Sequence, residues 1–159
     1  MIADFSVALA FFAALGSGLT AGLYFAFSTA VMPALGSLPE KQGIAAMQKI
    51  NAAILNPLFL LVFFGTAVAS IIGIITSLVG WSAPRALWLP VGSFLYLLGS
   101  FLVTILSNVP LNKALARLPG ESAGTSDLWT KYLSRWTTWN HVRTIASLAA
   151  SAAFILASR

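Results

Sequence analysis

Apolar residues run almost unbroken through four stretches of the chain, Phe5 to Met32, Pro57 to Val79, Leu87 to Leu106 and Trp136 to Ala157, and the polar residues collect between them. A hydrocarbon core roughly 30 Å thick takes about 20 apolar residues per helical crossing, so each stretch is long enough to span it. The runs are continuous and do not alternate, which favours helices that satisfy their own backbone over the short strands of a barrel. The pattern predicts an all-α integral membrane protein, an up-down-up-down four-helix bundle forming one domain over residues 1–159.

Between the first two runs, "GIAAMQKINAAILNP" has the spacing of a short amphipathic helix that should lie along the membrane surface. Pro57 and Pro110 lack an amide hydrogen, so a kink or break is expected at each. "LPGESAGTSD" combines glycine, proline and serine with charge and reads as the most open connection. "MPALGSLP" after helix 1 and "VPLNKALARLP" after helix 3 echo each other faintly, as a duplicated hairpin would.

Composition agrees with this class. Hydrophobic residues make up 58% and charged residues 8% of the chain, more apolar surface than a soluble domain of 159 residues can hide. Asp4 stands where a cleaved signal would carry basic residues, so the first run reads as a retained helix. There is no cysteine, and with it go disulfides, thiolate nucleophiles and cysteine metal ligands. Most of the positive charge lies in two connections: Lys41 and Lys49 between helices 1 and 2, and Lys113, Arg117, Lys131 and Arg135 between helices 3 and 4; Arg85 and Arg159 fall on the other side. The positive-inside rule makes the two basic connections cytoplasmic and both termini external, with the plasma (inner) membrane as the expected location. Charge so distributed serves insertion and gives no reason to expect nucleic acid as a partner.

Helix 1 carries Ala10, Ala14, Gly18, Gly22, Ala26 and Ala30 at four-residue spacing. Such a face packs closely in lipid, within the bundle or across a homodimer. Trp81 and Trp88 on one side, and Trp129, Trp136 and Trp139 on the other, are placed as interfacial belts.

The alternating topology brings the polar residues to one end: Thr20, Tyr24 and Ser28 from helix 1; Gln48, Asn51 and Asn56 before helix 2; Thr104, Asn108 and Asn112 from helix 3; Asn140, His141 and Arg143 at the start of helix 4. Thr144 to Ala157 is only about 14 residues, roughly 21 Å of helix, so Asn140, His141 and Arg143 must help to span. An arginine there costs about 2.5–3.5 kcal/mol and needs partners, a wet cavity or a headgroup to reach. Trp136, Asn140 and Arg143 share a helix face, and Trp139 sits one turn before Arg143, where it can stack on the guanidinium. The plainer readings are that Arg143 snorkels, that the asparagines cap or join helices, and that His141 is structural.

The runs hold no carboxylate, since Asp4, Glu40, Glu121 and Asp127 are terminal or in connections. Two-carboxylate schemes and metal sites therefore lack their ligands, and no metal is expected. Haem with His141 as its one ligand and Arg143 on a propionate stays open, without an attachment motif to support it. The residues present suit proton transfer and anion stabilisation: His141 as general base, with Arg143, Asn140 and Tyr24 holding an enolate or phenolate. Ser28, Asn108, Asn112, Trp136 and Trp139 complete the expected substrate-binding set. An electron-rich enolate can react with oxygen without a metal, and no cofactor is expected.

The phrases "GLYFAFSTAVMPALGSLP", "GIAAMQKINAAILNPLF", "NVPLNKALA" and "YLSRWTTWNHVRT" resemble the DUF1772, or anthrone oxygenase, family over nearly the whole chain. The matching positions are Asn108, Pro110 and Asn112 in the third helix and Trp136, Asn140, His141 and Arg143 in the fourth. The resemblance implies the four-helix membrane fold and an oxygenase acting on a lipophilic anthrone-like or polyketide-like aromatic, for which the polar residues at the cytoplasmic end of the bundle are the expected pocket. The alternative is a non-catalytic membrane protein that binds or transports a small molecule or haem. A homo-oligomer joined through the helix 1 stripe is expected with either.

Overall fold

The computed structural model describes residues 2–79, 87–118 and 125–159. Trp81, Arg85, Glu121 and most of the "LPGESAGTSD" segment lie outside the described residues. Helices α1 (Ile2–Ala26), α2 (Met32–Ser37), α3 (Glu40–Ala53), α4 (Pro57–Leu78), α5 (Trp88–Tyr96), α6 (Val109–Ala116) and α7 (Thr125–Ser158) follow in chain order, and the described residues include no strand. Four continuous helical rods are long and apolar enough to cross a membrane: 4–37, 57–78, 88–116 and 126–158. The chain is an all-α integral membrane bundle.

Two of these rods are interrupted in helix type though not in direction. A π-helical turn, Phe27–Val31, joins α1 to α2, and two more, Leu97–Leu102 and Thr104–Asn108, join α5 to α6. Two of the turns stand immediately before the Met32–Pro33 and Val109–Pro110 steps, giving the two echoing segments the same local construction. Proline removes an i→i−4 bond and crowds the preceding carbonyl, and a wider turn upstream absorbs both. The break expected at Pro110 is thus replaced by a π turn, and the third rod runs on to Ala116. At Pro57 the chain does break: α3 ends at Ala53 and Asn56 caps α4 by accepting from the Phe59 amide at 3.0 Å.

The membrane layer is held by small residues. α1 lies along α7, with Ala10, Ala13 and Ala14 buried against Ala150, Phe154 and Ala157. Ser151 Oγ donates to the Ala14 carbonyl at 2.9 Å. The first part of the helix 1 stripe is therefore used inside the bundle, while Gly22, Ala26 and Ala30 remain exposed. α4 meets α1 where Gly16 faces Thr66, and Tyr96 on α5 donates to the Phe63 carbonyl of α4 at 3.0 Å.

Beyond the membrane layer the bundle continues as a second, smaller cluster. Met47 of α3, Leu115 of α6, and Trp129, Tyr132 and Trp136 of α7 pack together there. This explains why α7 begins at Thr125, eleven or so residues before the apolar run does: its polar first turns are half of this cap. It also moves two tryptophans. Trp129 and Trp136 are buried and stacked through Tyr132, with ring centroids 5.7 and 6.3 Å apart, and only Trp139 of the three expected in the belt is exposed.

Candidate functional site

Arg143 lies in the middle of α7, 5% exposed, with its guanidinium turned into the bundle. It therefore does not snorkel. Nη1 donates to Thr104 Oγ1 at 3.2 Å, and Nη2 donates to Asn140 Oδ1 one turn earlier on the same helix. The guanidinium carbon lies 4.1 Å from the ring centre of Tyr24 and 5.2 Å from that of Trp136. Trp139, expected to stack here, points outward, because a residue four positions before Arg143 shares its α-helix face less closely than Trp136 at seven.

Asn140 is fully buried and ties α7 to the first rod. Its amide nitrogen donates to the Tyr24 carbonyl and to Ser28 Oγ, both at 2.6 Å, while its oxygen takes the Arg143 proton. Asn108 donates to the Trp136 carbonyl at 3.2 Å. Asn112 Oδ1 accepts from Tyr132 Oη and from Trp136 Nε1, each at 2.8 Å, and Asn51 reaches Tyr132 Oη at 3.4 Å. Ser28 comes from the first π turn, and Thr104 and Asn108 from the third. π turns widen the helix and re-aim side chains, and they concentrate at functional sites.

These residues surround a cavity of about 90 Å³. Tyr24, Thr104, Asn108, Asn112, Trp136 and Arg143 form its polar wall; Leu23, Phe27, Ile50, Ile54 and Phe59 are among its apolar lining. Three buried polar atoms of this wall have no hydrogen-bond partner: Arg143 Nε, Tyr24 Oη and Asn108 Oδ1. Two are donors and one is an acceptor, and a buried polar atom left unpaired costs about 1–3 kcal/mol. A concave, largely apolar site with a few convergent polar groups is the form of a small-molecule pocket.

The sequence-predicted residues divide accordingly. Tyr24, Asn108, Asn112, Trp136 and Arg143 meet in the cavity, and Asn140 and Ser28 stand directly behind Arg143 as its support. His141 does not join them. It is exposed and lines a separate, shallow groove with Ser28, Met32, Pro33, Thr137 and Thr138. One residue on from Asn140 is a rotation of about 100° on an α-helix, enough to carry the imidazole to the other side. Thr104, Asn51 and Tyr132 gain a place in the site. The sequence marks Thr104 only as polar and Asn51 as a cap or helix-joining residue, and Tyr132 lies in a stretch whose helical continuation the hydropathy does not reveal.

Among the described residues no group of three or more His, Cys, Asp or Glu side chains is placed to hold a metal ion. The pattern of the anthrone oxygenase family matches residues 58–153, which takes in Thr104, Asn108, Asn112, Trp136, Asn140, His141 and Arg143 and leaves out Tyr24 and Ser28. No curated protein and no solved structure matches the chain. The family pattern covers more than half of the chain, including the helices that supply Asn108, Asn140 and Arg143, and the protein belongs to the anthrone oxygenase family.

Proposed function

We propose that the protein is a membrane oxygenase that holds the enolate or phenolate of a lipophilic, anthrone-like aromatic against Arg143 while it reacts with dioxygen. The observation that carries this reading is a buried guanidinium whose hydrogen bonds go to the neutral oxygens of Thr104 and Asn140. A buried positive charge among neutral partners is stabilised by an anion, and Arg143 lines the cavity that would hold one. An anionic oxygen would accept hydrogen bonds from Arg143 and Tyr24 Oη, and a hydroxyl beside it would donate to Asn108 Oδ1. A hydroxylated aromatic ketone in its enolate form offers both. Trp136, Phe27 and Phe59 supply flat apolar surface for its rings.

The overall change is CH₂ + O₂ → C=O + H₂O. The carbanionic carbon of the enolate gives electrons to dioxygen and forms a C–O bond, and the resulting hydroperoxide loses water to leave the carbonyl. The contribution of Arg143 is to favour the anion over the neutral ketone. His141 lies outside the cavity, so this reading assigns it no proton transfer at the reacting carbon. No resident cofactor enters the scheme. A haem ligated by His141 would occupy the outer groove, away from Arg143.

The test is oxygen uptake and quinone absorbance with anthrone as the substrate, using protein in lipid nanodiscs. Arg143→Met is expected to lower the rate about 10²- to 10³-fold, the usual loss when a preorganised charge stabiliser is removed. An unchanged rate overturns the proposal. A second reading has its own support: the cavity lining includes no carboxylate or imidazole to act as a base. On that reading the protein binds or carries the same anion without turnover, and stoichiometric binding with no oxygen uptake would identify it. With either reading we place the basic connections in the cytoplasm, the protein in the plasma membrane, and a second copy against the exposed part of the α1 stripe.

A further inference from the structure

The Arg143 cavity is walled by Trp136 and Arg143 of α7, and its apolar lining includes Leu55, which is 64% exposed. A second hollow lies directly against it, and Leu23, Ile54 and Phe59 line both. This outer hollow is bounded by Leu19 and Thr20 of α1 and by Leu58 and Val62 of α4. Leu19 and Leu58 are 64% and 71% exposed on the membrane face, so the hollow opens on the bilayer.

We infer that a lipophilic ligand reaches Arg143 sideways from the bilayer, through the gap between α1 and α4, with Leu23 and Phe59 as the inner threshold. Three local features keep this gap. One turn or so above it the two helices are clamped, since a side-chain carbon at Gly16 would already collide with the Thr66 hydroxyl. Below it the chain breaks at Ile54–Asn56, so no helical backbone closes the lower edge. The Asn56 cap fixes the first turn of α4, and Phe59 is held flat on Phe63, with centroids 5.7 Å apart and planes 13° apart. The threshold ring thus lies along its own helix.

The depth suits an amphipathic aromatic. α4 has 22 residues, which matches the hydrocarbon thickness of roughly 30 Å and puts Leu58 to Val62 in the outermost part of one leaflet. Flat rings carrying a hydroxyl settle at that level of a bilayer. The inference rests on the cavity being a ligand site, yet it can fail separately from the chemistry proposed there.

The test uses an uncharged aryl diazirine dissolved in the lipid of nanodiscs holding the full chain, with the sites of carbene insertion mapped by mass spectrometry. Insertion is expected at Tyr24 and Phe27 inside the cavity, as well as at the lipid-facing Leu61 and Phe12. Val62→Trp should reduce insertion at Tyr24 and Phe27 about tenfold while leaving Leu61 and Phe12 unchanged, as a steric block of one passage would. Leu19→Trp blocks the same gap from the other helix and serves should Val62→Trp misfold. Cavity labelling unchanged in both variants, or no cavity labelling in the wild type, overturns the inference. Arg143→Met should label like the wild type, so loss of the anion site and loss of the passage give different results.

Discussion

Removing Asn140 and removing Arg143 should affect stability in different ways, although they are bonded to each other. Asn140→Leu strips the guanidinium of one acceptor and leaves a charged donor buried and unpaired, so the folded state should lose roughly 1–3 kcal/mol. Arg143→Met removes the charge itself and fills its place with an apolar chain of similar length. The desolvation cost goes with it, and stability should stay within about 1 kcal/mol of the wild type or rise. Unfolding in mixed micelles by added SDS measures both, and the idea of a charge kept for function at a cost in stability fails if Arg143→Met is the more damaging. Trp136 and Trp139 give a second comparison. Trp136→Leu loses the bond to Asn112 and the stacking on Arg143, and should cost roughly 2–4 kcal/mol. Trp139→Leu touches neither, and its effect should be within about 0.5 kcal/mol. At this scale the sequence was readable where residue type was enough: asparagine, tyrosine and arginine in an apolar chain belong together. Residue type alone does not settle helical phase, and the structure places His141 and Trp139 on the outer side of α7, away from the cavity.

Among the elements, the lengths of the apolar runs identified all four crossings, because burial in lipid imposes a nearly one-dimensional rule. The π turns had no such signal. They arise from proline and from packing against neighbouring helices, and they bring Ser28, Thr104 and Asn108 to face Asn140, Trp136 and Arg143. The glycines show how closely the rods are fitted. A side-chain carbon at Gly16 would strike Thr66, and one at Gly99 would strike Ala146, whereas one at Gly22 meets nothing within 4 Å. Gly16→Ala and Gly99→Ala should therefore each cost about 1–3 kcal/mol by forcing rods apart. Gly22→Ala should be neutral or gain up to about 1 kcal/mol from helix propensity. If all three behave alike in the same micelle titration, the close approach of α1 to α4 and of the third rod to α7 is not what holds the bundle.

Taken whole, the molecule is longer than a membrane is thick, and the excess lies at one end. The first and last rods have 34 and 33 residues, about 50 Å each, against roughly 30 Å of hydrocarbon. The extra length forms the cap in which α3 and the first turns of α7 pack around Trp129 and Tyr132, and this cap carries Lys41, Lys49, Lys131 and Arg135. A folded basic cap is hard to push through a bilayer, and the surface potential of an anionic inner leaflet would favour the proposed cytoplasmic side for it. The Arg143 cavity lies just inside the cap, so the topology also decides which leaflet would supply the proposed passage between α1 and α4. The chain has no cysteine, so a single introduced thiol reports without background. Lys49→Cys at the cap and Ser158→Cys at the opposite end should react with a membrane-impermeant maleimide from opposite sides. Lys49→Cys should be modified only in inside-out vesicles and Ser158→Cys only in right-side-out vesicles. The reverse result would move the cavity and its passage to the outer leaflet. A lipophilic substrate made in the cytoplasm would then have to cross the bilayer before it reached Arg143.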